Sequence, residues 1–392
     1  GKEYLFYKAF PINVAIIRGS TADASGNISM EKEALTLESL PLAMATKNSG
    51  GIVIAHVDQI AQNNTLNART IHVPGIFVDC VVQAQPENHW QTFATQYSAS
   101  FSGEIKTPMS AIPPMELGPR KIIARRGAFE LKPSNIVNLG IGIPEGVANV
   151  ANEEQILEYI TLTAEPGIIG GLPAGGLDFG AAYNADAIID QPYQFDYYDG
   201  GGLDIAYLGM AQVDKEGNVN VSRFSNRLAG AGGFINISQN TPKVVFVGTF
   251  TSGKIKADIL NSELRITEDL GNDKFVDQVE QITFNGKLAI ERGQTILYVT
   301  ERCVFRLCKD GLELIEIAPG VDLEQDILGH MEFTPKINTP LILMDQRIFS
   351  EFPMGLDNQL LQVPMEQRIY YQECSNELFL NLENYAIKTK DD

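Results

Sequence analysis

The sequence predicts an α/β protein built from two related open α/β units in tandem, the first of them incomplete at its N-terminus. Three observations carry this. Near-continuous Val/Ile runs (NVAIIRG from 13, GGIVIAHV at 50–57, LDIAYLGMA from 203, PKVVFVGTF at 242–250) alternate with longer connections, the pattern of strands covered on both faces. Laid over one another at an offset of 191 residues, Val14 to Ile28 and Ile205 to Val219 bring Ala15 onto Ala206, Asp23 onto Asp214, Gly26 onto Gly217 and Asn27 onto Asn218 without a gap. Finally, 86 residues separate Arg120 from Ala206 but only 14 precede Ala15, so the first unit lacks roughly 70 or more residues that the second has.

In each unit an apolar strand leads into an Asp-x-x-Gly-Asn turn, a short alternating stretch and a second apolar strand. The Gly suits a left-handed turn position, and Asp and Asn bond their own backbone, so these residues are read as structural. The boundary falls in GEIKTPMSAIPPMELGPRK, where Pro108, Pro113, Pro114 and Pro119 keep the chain extended. The expected organisation is therefore residues 1–107 for the remainder of the first unit, 108–119 for a linker, 120–340 for the second unit and 341–392 for a C-terminal extension. A basic helix, RKIIARRGAFEL, opens the second unit, and its cluster of Arg120, Lys121, Arg125 and Arg126 is read as a solvated face.

The chain has 392 residues and a formal charge of −19, which suits two domains and argues against a nucleic-acid or anionic-membrane partner. No apolar run is long enough to span a membrane, and the start does not resemble a secretory signal. Cys80, Cys303, Cys308 and Cys374 form no CxxC pair, which suits a reducing compartment. His56, His72, His89 and His330 lie far apart in sequence and are read as single histidines rather than metal ligands.

The second unit is dense in glycine: NLGIGIPEG at 138–146, TLTAEPGIIGGLPAGG at 161–176, YDGGGLD at 198–204 and LAGAGGF at 228–234. Each loop is either a tight turn or backbone brought close to a ligand at the carboxyl end of a sheet, and none matches a dinucleotide or phosphate-loop motif. Glu165 closes the run ILEYITLTA and is followed by Pro166 and Gly167, at the end of a strand. It is either a solvated turn carboxylate or, among small apolar neighbours, a partly hydrated nucleophile. Tyr197 and Tyr198 are read as packing or as part of an acyl pocket.

Taken in order, the E-x-G segment with its following glycines, Y-D-G-G-G-L-D, G-A-G-G before a helix, VTERCVF at 299–305 and LIEIAPGVDLEQDIL at 314–328 resemble the family I CoA-transferases, and among them the propionate and acetate enzymes of bacteria. The resemblance runs to about Leu356. It implies units of the CoA-transferase type and transfer of CoA between a short-chain acyl-CoA and a short-chain carboxylate by a ping-pong mechanism, through a glutamyl-CoA thioester. Glu165 then maps to the nucleophile, Asn138 to the amide lining the reacting centre, and Gly233, with Gly232 beside it, to the backbone oxyanion donor. The family's second oxyanion donor, a Gln of the first half, falls before the first residue of this sequence. Coenzyme A is implied as substrate, with no permanently bound cofactor and no metal, in a homo-oligomer that is cytoplasmic in bacteria or in the mitochondrial matrix of eukaryotes. An acyl-CoA hydrolase using the same carboxylate, and a non-catalytic subunit retaining the fold, are the competing readings.

Overall fold

The computed structural model describes residue 3 and residues 6–361, 368–372 and 375–381. It is α/β, and the chain folds into two compact units that interleave along the sequence. The first unit comprises residues 1–112, 140–142 and 162–202, and the second residues 113–139, 143–161 and 203–392.

In the first unit, strand β1 (Val14–Asp23) is followed by β2 (Ile28–Ser29), helix α1 (Ser39–Asn48), β3 (Ile52–Ala61), β4 (Ile71–Val73) and β5 (Cys80–Gln83). The sheet order is β4-β2-β1-β3-β5, with β1, β3 and β5 parallel. Alternation along β1 and β3 sends Ala15, Ile17, Val53, Ala55 and Val57 to one face, where α1 covers them through Ala43 and its flanking leucines. The second unit opens with α2 (Pro119–Ala128), whose Pro sits in the first turn where its missing N–H costs nothing, and β6 (Ile136–Leu139).

Sequence 162–202 then returns to the first unit. It contributes most of β7 (Thr161–Ala164), the antiparallel β8 (Ile168–Ile169) and β9 (Ala187–Ile188), and α3 (Gln191–Asp199). Ala164 and Ile168 pack with Leu35 from the early part of the chain. From β10 (Ile205–Gly209) the second unit continues through β11 (Gln212–Asp214), β12 (Val219–Asn220), α4 (Phe234–Asn240), β13 (Lys243–Val247), α5 (Gly286–Glu291), β14 (Thr295–Val299), β15 (Cys303–Cys308), β16 (Gly311–Ile317) and β17 (Lys336–Leu343). Its main sheet runs β6-β10-β13-β14-β15-β16-β17, the first four strands parallel. Among the described residues no helix is long and apolar enough to cross a membrane.

The internal repeat holds at the level of single bonds. Thr21 pairs with Ser29 and Ala22 with Ile28, as Gln212 pairs with Asn220 and Val213 with Val219, and β1 runs beside β3 in the register that β10 keeps with β13. In the turns, Asp23 Oδ1 accepts from the N–H of Ser25 and Asn27, and Asp214 Oδ1 from those of Glu216 and Asn218. The Asn amide then fastens a distant glycine: Asn27 Oδ1 accepts from Gly75 N and Asn218 Oδ1 from Gly286 N, each at 2.9 Å. A Cβ on Gly75 would meet Ser25 O at 2.1 Å, and one on Gly286 would meet Glu216 O at 2.3 Å, so both places exclude every larger residue.

The two copies differ in what covers their sheets. Ile205 and Tyr207 are buried in the second unit, where Tyr207 donates to Gly127 O of α2 and β6 pairs along β10. Their counterparts Val14 and Ile16 are 53% and 71% exposed, and along Val14–Ile17 no described strand pairs β1 on the side that β6 takes beside β10.

Of the basic cluster of α2, Arg120 is exposed, but the other three residues form no solvated face, and for them the sequence reading is corrected. Lys121, Arg125 and Arg126 are buried. Lys121 pairs with Glu153 at 2.7 Å, and Arg126 meets Glu316 through two nitrogens at 2.6 and 2.7 Å and Glu130 at 2.7 Å. Arg125 donates to the carbonyls of Arg347, Ile348, Ser350 and Phe352. Partners so remote in sequence turn apparently solvated charges into core cross-links. The expected C-terminal extension lies partly outside the described residues, as does Cys374.

Candidate active site

Glu165 follows the last residue of β7, as the apolar run before it predicts. With Pro166 and Gly167 it forms the turn between β7 and β8, closed by Gly167 N donating to Ala164 O at 3.1 Å. Gly167 has φ +120°, and a Cβ there would lie 1.9 Å from Ile189 O, whose own N–H donates to Gly167 O at 2.9 Å. Only glycine lets the β9 end press so close beneath the turn. Glu165 is half-buried, and this burial pushes its carboxyl above the usual carboxylate range.

A raised carboxyl in the folded state means the charge opposes folding at neutral pH, and the opposition fades as pH falls through the folded midpoint. Glu165→Gln is therefore expected to raise the thermal midpoint at pH 7.5, with the gain over wild type shrinking in melts at progressively lower pH; no gain at pH 7.5 would mean the carboxylate is fully hydrated.

Asn138 lies inside β6, fully buried and in register with Ala206 of β10. It is thus neither a turn nor a cap asparagine. Gly232 has φ +54°, and Gly233 stands immediately before α4. Phe234 N donates to Ala231 O at 3.2 Å, while among the described residues neither the Gly232 nor the Gly233 N–H donates to a backbone carbonyl. Gly230 is anchored further back, its N–H donating to Ser222 O at 3.0 Å. Asn138, Gly232 and Gly233 belong to the second unit and Glu165 to the first.

Sequence reasoning missed what stands behind the turn. Tyr198 is buried on α3, where its O–H donates to Thr163 Oγ1 at 2.8 Å, whereas Tyr197 is half exposed. Gln194, one helical turn before Tyr198, has no exposed surface. The spacing QPYQFDYYD, with Gln and Tyr four apart on one helix face, was the available signal. The histidines are not all single either: His56 Nδ1 and His89 Nδ1 are 3.2 Å apart in the first unit, with Glu33 Oε1 3.4 Å from His89 Nε2. Among the described residues no group of three or more His, Cys, Asp or Glu could hold a metal ion.

A family model described as Coenzyme A transferase matches residues 1–84. The caffeate CoA-transferase of Acetobacterium woodii is 50% identical over 363 residues, which cover 91% of this chain and 69% of that protein. The chain belongs to the coenzyme A transferase family. The acetate CoA-transferase YdiF of Escherichia coli K12 is 43% identical over 354 residues, 90% of this chain and 66% of its own length. The crystal structure of YdiF from E. coli O157:H7, described as a thioester complex with CoA, superposes with a TM-score of 0.83 at 42% identity, over 90% of this chain and 66% of that one. The chain thus spans about two thirds of the length of these family members.

Proposed function

We propose that the protein carrying this chain transfers coenzyme A from an acyl-CoA to a carboxylate of the propionate and acetate class, with Glu165 as covalent nucleophile. The observation that carries the reading is the half-buried carboxylate at Glu165, raised by burial and held in a turn too tight for any residue but glycine at 167. The YdiF thioester complex, in a family member of the same fold, adds support.

In this reading the Glu165 carboxylate attacks the acyl-CoA carbonyl, the C–S bond breaks, and CoA leaves as thiolate from an acyl-glutamyl anhydride. The thiolate then attacks the glutamyl carbonyl, the first acid departs, and Glu165 holds CoA as a thioester; a second carboxylate reverses the steps. Thioester energy is conserved, so neither ATP nor a redox partner is called for. Partial desolvation makes Glu165 a stronger nucleophile than a hydrated carboxylate, and the N–H groups of Gly232 and Gly233, with the Asn138 amide, are the donors we assign to the oxyanion of each attack. Residues 1–107 and 120–340 serve as the two repeat halves joined by 108–119, with 341–392 as an extension, in a homo-oligomer.

Substrate choice has a second candidate, because the relative named for caffeate is 50% identical. Incubating the protein with propionyl-CoA and, separately, labelled acetate or caffeate tests both. Label in the CoA ester with parallel-line initial-rate plots supports the transferase, and the acid that carries it sets the class. Thioester loss without any labelled ester would instead make the protein a hydrolase.

A further inference from the structure

We propose that Gln194 is the positioning residue of this site: from α3 its side-chain amide ties together the two ends of the turn that presents Glu165. The inference rests on the reading of Glu165 as nucleophile. Gln194 Nε2 donates to Tyr198 Oη at 2.7 Å, to Ile168 O at 3.2 Å and, more loosely, to Ala164 O at 3.5 Å. Ala164 and Ile168 are directly paired across β7 and β8, so only Glu165, Pro166 and Gly167 lie between the two carbonyls that one amide gathers. Tyr198 passes the contact on, its O–H donating to Thr163 Oγ1 at 2.8 Å. Three positions, two on β7 and one on β8, are thereby stitched to a single helix face.

The chemistry of the amide shows which half of it the site uses. Turned over, it would set an acceptor against two backbone carbonyls, so the hydrogen-bond network dictates the orientation. In that orientation Gln194 Oε1 is buried and meets no partner among the described residues. A lone buried acceptor is destabilising, and a residue needed only to fill this space would be apolar. The donor side therefore explains why glutamine stands here. Besides the β7–β8 ladder, the turn is closed by Gly167 N donating to Ala164 O and propped by Ile189 N donating to Gly167 O. A carboxylate that must first attack a carbonyl and then be attacked itself tolerates little displacement, since a misplacement of about 1 Å can cost about a hundredfold in rate.

Gln194→Met keeps the length of the side chain and removes both donors. It is compared with Val53→Ala, which destabilises the first unit from the core of its β1–β3 sheet, far from any contact with the turn. Two readouts are taken: the rate at which propionyl-CoA adds a CoA increment to Glu165, and the titration of the Glu165 carboxyl by ¹³C NMR, which needs no substrate. Gln194→Met is expected to slow the increment about tenfold or more and to move the titration down toward the ordinary carboxylate value as the turn loosens and hydrates. Val53→Ala should change neither. If the two variants behave alike in both readouts, Gln194 is only a core residue and the proposal is overturned. A titration that moves in Gln194→Met while wild-type Glu165 accepts no CoA would sink the transferase reading and leave the clamp standing. Should Gln194→Met fail to fold, Tyr198→Phe, which removes the hydroxyl that donates to Thr163 and accepts one Gln194 bond, is expected to shift both readouts in the same direction by less.

Discussion

Replacing Glu165 with alanine is expected to abolish the CoA transfer we propose, by about 10⁴-fold or more in turnover, because it removes the carboxylate assigned as nucleophile. The protein stays folded, since the side chain closes no bond of the turn: the Gly167 to Ala164 and Ile189 to Gly167 bonds are made by backbone alone. Glu165→Asp is the finer test. It retains the charge but draws the carboxylate back by one methylene, so it should fold like wild type and transfer CoA far more slowly. Initial rates for both variants, with circular dichroism as the check on folding, decide the matter. Transfer by Glu165→Ala at an unchanged rate would mean that the nucleophile is another residue.

The second large effect is on stability. Arg302 in the VTERCVF segment has no exposed surface and lies 5.1 Å from the centroid of the Phe250 ring. Its guanidinium pairs with Asp269, with Glu301 at 3.1 Å and with Asp326 O at 2.7 Å. Glu301 in turn accepts from Phe250 N at 2.9 Å. Arg302→Met would leave two buried carboxylates without their cation, a change that typically costs about 3–5 kcal/mol. Urea melts at pH 7.5 should show that loss, with an unchanged slope if the folded state remains compact. The pH dependence separates the two acids. Asp269 is held below its ordinary range by Arg302, Gly271 N and Thr251 against the opposing effect of burial, so its stabilising contribution is present above the unfolded midpoint and disappears as pH falls through the folded one. Glu301 is raised by burial in spite of Arg302, so its charge opposes folding at neutral pH and that opposition fades on acidification. Arg302→Met should therefore lose most relative to wild type near neutrality and least in acid.

What the sequence disclosed follows the range of the physics involved. The Asp-x-x-Gly-Asn turns were legible because their bonds join residues two and four apart, and the 191-residue offset carried over to strand register and to the glycines each turn pins. Glu165 was legible as a strand-end residue for the same local reason. The surroundings of α2 were not: Arg126 meets Glu316, and Arg125 the carbonyls of 347–352, across about half the chain, and nothing in RKIIARRGAFEL announces partners so distant. The grouping of 162–202 with 1–112 was hidden likewise, since Leu35 packing on Ala164 and Ile168 is a tertiary contact between repeats rather than within one. Gln194 lay between these cases. Its spacing from Tyr198 was visible, but the carbonyls that give it meaning appear only when β7 and β8 pair.

The most direct test of the account is the intact mass of the denatured protein before and after brief exposure to propionyl-CoA, followed by peptide mapping. We expect a CoA-sized increment on the peptide that contains Glu165, absent from Glu165→Ala and discharged by acetate. Transfer of CoA to acetate with no increment, or with the increment on a different residue, would contradict it.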